Sequence, residues 1–576
     1  DLISKNDKTF YSTIKQLLGK SRSHDRIESI YHKQHTFTTE KDIANALNDF
    51  FVTVGGNSKF DKNQHGNHNQ QQSSPSFSFK PTTSETIRKL LKSLKINKFG
   101  GIHRISAQIY SVIADLLAYP LSSLINECFS KSIFPDCLKL ALVTPIHKKG
   151  DKSDPSNYRP ISSLPILSKI FEMEMKSQMM KFLEEHNILS NKHFGFRKEH
   201  STEQMLLSVL QNWRSELDKP ESVYIGALSL DVRKAFDTVN HELLIDKLRA
   251  SNFSERSTSL LTSYLTNRSQ IMKVGDANSI PLPITCGVPQ GSILGPVLFN
   301  IAINDILLEF QSSFAYADDT LLYCTANSIN EVLDLSQGLL IDAAQWYNRN
   351  LLTLNINKTQ FCIFSNRKIK EYYHITHGNT NIESTLSTNV LGVHLDTDLS
   401  FNTHAIETAK KANKKIYLIS KIKKYLTVDD ALKAYKTYVR PILEYCSALY
   451  LECTRHTIDI IEKVQNKAIR IIVSAPREFS ITTGRTLLNL PTLETRRFFL
   501  FHKFVHQKVM RKRASKNILN LVQGANRHNR HLRSASQIIK PKHRTNFGKS
   551  ALISLIHSYI SKKQTAKELL SFVYKH

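Results

Sequence analysis

Two adjacent acids, Asp318 and Asp319, lie between apolar, β-prone runs in Phe314-Ala315-Tyr316-Ala317-Asp318-Asp319-Thr320-Leu321-Leu322-Tyr323, and few folds can accommodate that arrangement. The stretch reads as a hairpin with the acids at its turn. Side by side in apolar surroundings, two carboxylates repel, and burying them is costly unless a cation compensates. An isolated Asp-Asp pair is commonly no more than an Asx-type turn, but the flanking runs argue for something further here. A third acid stands in a comparable context. Val223 to Leu230 is a short apolar run, Asp231 follows at once, and Lys234 to Leu248 reads as helical, which puts Asp231 at the C-terminal end of a strand. Divalent metal is the natural compensation for such acids, because Mg²⁺ takes one or two carboxylates and completes its shell with phosphate oxygens. Two metals about 3.5–4 Å apart can activate a hydroxyl and stabilise a leaving oxygen in an in-line displacement. Asp231, Asp318 and Asp319 are the candidate ligands.

The charge balance agrees with a phosphate-bearing partner. In 576 residues, Lys and Arg exceed Asp and Glu by 28, a surplus that attracts polyanions, most often nucleic acid. No apolar run is long enough for a membrane span. The seven cysteines include no Cys-x-x-Cys pair and read as reduced thiols. Along the chain, 1–56 reads as an N-terminal helical segment and 57–80, rich in His, Asn, Gln and Ser, as a disordered linker. Alternating helical and strand-like patterns run over 81–400, and a helical pattern over 401–490. The stretch 491–576 carries 19 Lys and Arg against Glu494 and Glu568, and reads as a basic tail.

Three boxes carry a resemblance. Phe314 to Thr320 is similar to the F-x-Y-A-D-D box of reverse transcriptases, and Leu228-Ser229-Leu230-Asp231-Val232-Arg233-Lys234-Ala235-Phe236-Asp237 resembles their first acidic motif. Between them, Gly287-Val288-Pro289-Gln290-Gly291-Ser292-Ile293-Leu294-Gly295-Pro296 resembles the family's G-x-P-Q-G-S-x-L-G-P box. Asn157-Tyr158-Arg159-Pro160-Ile161-Ser162 and His193-Phe194-Gly195-Phe196-Arg197 look like the non-LTR retrotransposon branch, of the jockey and chicken-repeat type. The resemblance covers roughly 85–500 of the chain. It implies an α+β right-hand polymerase: fingers, a palm of antiparallel strands backed by helices, a helical thumb, then the basic helical tail. It further implies two Mg²⁺ ions, with Mn²⁺ as an alternative. The expected reaction extends a DNA primer or target 3′-hydroxyl with dNTPs on an RNA template, with the nucleus as the place of work.

The same resemblance assigns the groups around the acids. Phe236 falls where an aromatic ring lies beneath the incoming sugar and excludes a ribose 2′-hydroxyl, although a core Phe would look the same in sequence. Gln290 and Gly291 fall where the chain approaches the nucleotide, Gly permitting close backbone approach. Lys148, Lys149 and Arg159 match the grip on the triphosphate. Lys358 resembles the residue proposed to protonate the leaving pyrophosphate, and Leu391 to Asp396 the strand turn that holds the primer end. Two stretches depart from the pattern. Gly101-Ile102-His103-Arg104-Ile105 stands where G-x-D-G-[IL] is common, and Glu199 where Gly is usual. They keep a second expectation open, a decayed copy that binds nucleic acid without efficient synthesis. Another palm polymerase, an intron maturase or an RNA polymerase, is the third, and Phe236 disfavours the RNA polymerase. The endonuclease that precedes this region in such elements is not expected in this chain. Oligomeric state, target site and cognate RNA are not legible.

Overall fold

A computed structural model describes residues 27–53, 55, 75–95, 99–103, 105–220, 223–369, 371–451, 453–509, 511–524, 552, 555 and 556. Most of the expected linker, the first 26 residues, Arg104 and most of 525–576 lie outside the described residues.

The described part of the N-terminal segment is not helical throughout. Strands β1 (Ile30–His32) and β2 (His35–Phe37) form a hairpin before helix α1 (Glu40–Thr53). Its turn residues, Lys33 and Gln34, both have positive φ, which suits a two-residue hairpin turn and cannot continue a helix. At the end of the 57–80 stretch, Phe77 is buried and its backbone bonds to Asn252 and Ser254. Phe77 and Phe79 supply the apolar area that the Ser/Asn/Gln run before them lacks. Helix α2 (Ser84–Lys92) follows the expected spacing, with Ile87 and Leu91 buried and Thr83 capping its first turn.

Two sheets position the site. Strands β3 (Leu140–His147) and β4 (Tyr158–Ser163) form one hairpin, followed by helices α3 (Ile166–Glu185) and α4 (Thr202–Leu217). Strand β5 (Tyr224–Leu230) then leads, through one 3₁₀ turn at Ala235–Asp237, to helix α5 (His241–Ala250). The expected single helix from Lys234 to Leu248 is therefore split. Lys234 has φ +48°, and Asn240 caps a new helix by accepting from Leu243 N. Strands β6 (Arg268–Val274) and β7 (Leu282–Ile284) join the first sheet in the order β7-β6-β3-β4, and Ala277–Asn278 adds a short strand on β6. After helix α6 (Gly295–Ala302) come strands β8 (Ser313–Tyr316) and β9 (Asp319–Ala326), helix α7 (Ile329–Arg349) and strand β10 (Gln360–Ser365). The second sheet is antiparallel throughout, in the order β8-β9-β5-β10.

Alternation in this second sheet divides the core. Ile225, Ala227, Cys362 and Phe364 face one cluster, while Leu228, Leu230, Phe361 and Ile363 face the other, as the two-residue period of a strand requires. The first cluster holds the C-terminal helices: α8 (Asn402–Ile422), α9 (Val428–Tyr438), α10 (Arg455–Val473) and α11 (Leu493–Phe504). It extends to Ile518, Leu552, Leu555 and Ile556, so the 491–576 stretch is partly built into the body of the molecule. All seven cysteines are free, and among the described residues no helix is long and apolar enough to cross a membrane.

Candidate active site

Asp231 is the residue after β5, and Asp319 is the first residue of β9. The register pairs Leu230 with Thr320, which brings Asp231 and Asp319 to the same edge of the second sheet. Asp318 stands in the β8–β9 turn, made tight by Ala317 at φ +57°. The β8–β9 pair is thus the hairpin read from the sequence. Burial, together with the charge of Asp231, raises the Asp318 carboxyl above its ordinary range, and Arg159 and Lys148 oppose that rise. Asp319 is pushed up to about 6 by desolvation, then by Asp318 and Asp231. Asp318 and Asp319 both feel the charge of Asp231, and positive charge comes only partway to relieving Asp318.

The hairpin is held from behind by the segment His193 to Arg197. Phe194 N donates to Ala315 O at 2.8 Å, and Ala315 N donates to Lys192 O at 3.0 Å. A Cβ at Gly195 would strike the Ala317 backbone nitrogen, so only glycine lets this segment lie against the turn. Asn300 on α6 donates to Gly195 O at 2.8 Å. Arg197 is buried, with a two-pronged bond to Glu184 at 2.8 and 2.7 Å and further bonds to Ser190 O and His193 O. Glu199, where a glycine is common, has φ +63°, and a side chain is carried there at some conformational cost.

Asp231 is fixed by the turn before β10. Asn355 N donates to Asp231 O at 2.8 Å and its side-chain amide to Asp231 Oδ2 at 2.9 Å. Lys358, in the following 3₁₀ turn, lies 3.3 Å from the same Oδ2. Lys148 and Arg159 extend from the β3–β4 hairpin. Burial, then the charges of Arg159 and Lys358, hold the Lys148 amine below its ordinary value, while Asp237 and Asp231 pull it back. Lys148, Arg159 and Lys358 are thus each within electrostatic reach of Asp231 or Asp318. Lys149 is exposed one residue on, and among the described residues no contact ties it to them.

The glycine-rich box runs alongside. Val288 N donates to Phe236 O at 2.8 Å and Gly287 N to Val239 O at 2.7 Å, stapling the box to the 3₁₀ turn after Asp231. Ser162 N donates to Gln290 O at 2.7 Å, and Gly291, at φ +124°, passes so close to Ser162 that a Cβ would meet its carbonyl oxygen. Phe236 is half-buried: its ring stacks on Phe299 at 4.3 Å between centroids and meets Phe196 edge-on at 6.0 Å. One face is therefore packed as a core residue's would be. Buried Glu172 accepts from Ile293 N at 2.6 Å and Leu294 N at 3.1 Å, so a carboxylate fixes the amides leading into α6. Further along, Leu391 and Gly392, both at positive φ, turn the hairpin of Ser387–Val390 and Val393–Asp396.

Sequence reasoning passed over four of these groups as individuals. Asp237 lies inside the motif around Asp231, where a second acid close behind the first was the signal, and Asn355 lies three residues before Lys358. Gly195 also sat in a quoted stretch. Glu172 had no signal, since a glutamate on an amphipathic helix reads as solvent-facing.

Among the described residues, no three His, Cys, Asp or Glu side chains form a ready-made metal cage. Asp231 and Asp318, mutually repelling at one sheet edge, supply the two carboxylates that Mg²⁺ takes when phosphates complete its shell, so the donor set fits.

Comparison with known proteins bears on the same region. Residues 146–395 match the family described as reverse transcriptase (RNA-dependent DNA polymerase). The chain is 29% identical over 435 residues to the "Probable RNA-directed DNA polymerase from transposon BS" of Drosophila melanogaster, covering 73% of this chain and 48% of that protein. It is 29% identical over 410 residues to the "RNA-directed DNA polymerase from mobile element jockey" of Drosophila funebris, covering 69% of this chain and 44% of that protein. The chain thus spans under half the length of either relative. Enzymes of the matched family generally use divalent metal ions. Its acids, its glycine-rich box and the β8–β9 hairpin all lie inside the matched residues, and over them the chain is similar to the reverse transcriptase family, and over a longer stretch to the jockey and BS transposon polymerases.

Proposed function

We propose that the chain is an RNA-directed DNA polymerase that extends a nucleic-acid 3′-hydroxyl with dNTPs on an RNA template. The observation that carries this reading is the meeting of Asp231, Asp318 and Asp319 at one sheet edge, faced by Lys148, Arg159 and Lys358. The second sheet is then the palm, the first sheet with α2 and α3 the fingers, and the helices from α8 onward the thumb. Two Mg²⁺ ions held by Asp231 and Asp318, with Asp319 beside them, would supply charge stabilisation and an activated 3′-hydroxyl.

Each remaining role belongs to a side chain. Lys148 and Arg159 neutralise the triphosphate, Arg as a two-pronged donor and Lys as a point charge. Lys149, exposed beside them, serves a more distant phosphate. Asn355 holds Asp231 in a single orientation, and Lys358 keeps a proton at Nζ for the leaving pyrophosphate oxygen. Phe236, fixed by Phe299, offers an apolar ring edge to the sugar, with no partner for a 2′-hydroxyl. Gln290 and Gly291 form the wall over the nucleotide. Template binding draws on the exposed face of α8, where Lys410, Lys414, Tyr417 and Lys421 alternate charge with an aromatic ring, as single-strand and duplex contacts favour. In the host cell, the nucleus is the compartment where an integrating element needs this activity.

The test is primer extension with purified protein, poly(rA), oligo(dT), Mg²⁺ and labelled dTTP. Incorporation that needs both template and divalent cation supports the reading. Template binding with no incorporation favours a decayed copy, a reading to which Glu199 at positive φ lends some weight.

A further inference from the structure

Gln290 has its amide nitrogen turned toward Asp237. Nε2 donates to both oxygens of Asp237, at 2.9 Å to Oδ1 and 2.8 Å to Oδ2. No role in the polymerase scheme above falls to Asp237, yet its place is strongly determined. It ends the 3₁₀ turn Ala235–Asp237, its own N donates to Lys234 O at 2.8 Å, and its carbonyl accepts from Cys286 Sγ at 3.4 Å. The Gln290 backbone is fixed independently by Ser162 N, so its side-chain torsions are the freedom that remains. Both side chains line a small cavity of about 40 Å³ that also touches Pro160, Ser162 and Cys286.

A carboxamide is nearly symmetric in shape but not in chemistry: one end donates and the other accepts. An ionised carboxylate only accepts. Beside it, the amide has one satisfactory orientation, nitrogen inward and oxygen outward. Among the described residues no group donates to Gln290 Oε1, so that oxygen is an unused acceptor. We propose that Asp237 is a positioning residue for nucleotide binding, holding Gln290 so that its amide oxygen accepts a hydrogen bond from a donor group of the incoming nucleotide. The inference rests on the polymerase reading of the site.

The cost of keeping an acid here argues that it serves a purpose. Burial pushes the Asp237 carboxyl up to about 6, despite the Gln290 bonds and the nearby charges of Lys234 and Lys148. Lys234, itself brought down to about 8 by burial, lies over the Phe50 ring at 3.8 Å rather than bonding to Asp237. A neutral side chain would be easier to bury, but an asparagine could meet either end of the Gln290 amide and would leave its direction undecided.

The experiment compares wild type, Asp237→Asn, Gln290→Glu and the double variant in steady-state dTTP incorporation on poly(rA)/oligo(dT). Asp237→Asn is expected to raise KM for dTTP roughly tenfold with kcat within about twofold, the scale of one lost hydrogen bond to a fixed partner. Gln290→Glu alone sets two carboxylates against each other and is expected to be worse. In the double variant the new amide at position 237 donates inward and the new carboxylate at position 290 keeps an acceptor outward, so KM should return to within about threefold of wild type. An unchanged KM in Asp237→Asn, a loss confined to kcat, or a double variant no better than Gln290→Glu would each overturn the proposal. If the wild type itself incorporates nothing, the polymerase reading fails, and thermal unfolding then judges the pair. A Tm lowered by Gln290→Glu and restored by adding Asp237→Asn supports the pairing, whereas additive changes in Tm reject it.

Discussion

Asp231 and Asp318 are separated by 87 positions in the chain and joined by one strand pairing. If they hold metal, Asp231→Asn or Asp318→Asn removes an anionic ligand and no template contact. Incorporation should fall by roughly a hundred- to a thousandfold, the scale on which a transition state feels the loss of one electrostatic stabiliser. Template affinity in a filter-binding assay should stay near wild type, and substantial activity in either variant would defeat the assignment. Phe236 poses a finer question, because it stands in the turn after Asp231 while its ring is packed on Phe299. Phe236→Ala should lower the ratio of dTTP to UTP incorporation, with a stability loss smaller than the roughly 3–5 kcal/mol of a fully buried ring. A ratio that does not move makes Phe236 a core residue. Asp237 gives a prediction in pH. Its folded value of about 6 lies above the ordinary aspartate value of 3.8, so the folded state binds the extra proton between them. Stability from this group is therefore present below about pH 4 and lost as pH rises through about 6. The Tm of Asp237→Asn relative to wild type should rise between about pH 4 and about pH 7; a constant difference would mean that the carboxyl is not raised.

At the level of elements, the catalytic hairpin is aimed by a segment that contributes no chemistry. Gly195 lies against the β8–β9 turn, and the backbone bonds between Lys192, Phe194 and Ala315 keep it there. Gly195→Ala must displace Ala317, and with it Asp318, relative to Asp231. Misplacement on the ångström scale costs about a hundredfold in rate, so incorporation should fall by roughly that factor while far-ultraviolet circular dichroism stays unchanged. Full activity would show that the hairpin tolerates the shift. This dependence was hard to read beforehand, because a glycine in His193-Phe194-Gly195-Phe196-Arg197 marks a turn as readily as a close backbone approach. The β8–β9 hairpin itself was legible, since two apolar, β-prone runs on either side of adjacent acids suffice to indicate it. The helix expected from Lys234 was not: its apolar spacing carries through, but Lys234 in a left-handed conformation and the Asn240 cap break it in two.

For the whole molecule, the distribution of charge carries the remaining prediction. The first part of the 491–576 stretch is structural: Leu493, Phe501, Phe504, Val505 and Ile518 are buried, and Ser515 N donates to Gln204 Oε1 at 2.7 Å. Cutting the chain after Leu490 would open the core, so charge is better removed by substitution. Arg527, Arg530 and Arg533 lie outside the described residues. Changing all three to Gln should lower the log–log salt slope of template binding by up to about 2–3, at roughly 0.7–0.9 per phosphate contact. The loss should be similar on unrelated sequences, because phosphate contacts carry no base information. An unchanged slope would assign the binding to other basic faces, the Lys410–Lys421 stripe of α8 first among them.

The acids, the glycine-rich box and the two-residue period of the strands that carry them are local patterns, and local patterns are what a sequence determines alone. Adjacent carboxylates in apolar flanks already imply a cation, and a surplus of 28 positive charges already implies a polyanion. Tertiary structure decided which distant groups share the edge where Asp231 and Asp319 meet. Asn355 and Lys358 reach Asp231 only because β10 pairs with β5, and Gln290 finds Asp237 only because the box is stapled to the 3₁₀ turn. Residue type sets what a side chain can donate or accept, but the partner that makes it do so arrives through long-range packing, and no periodicity along the chain records it.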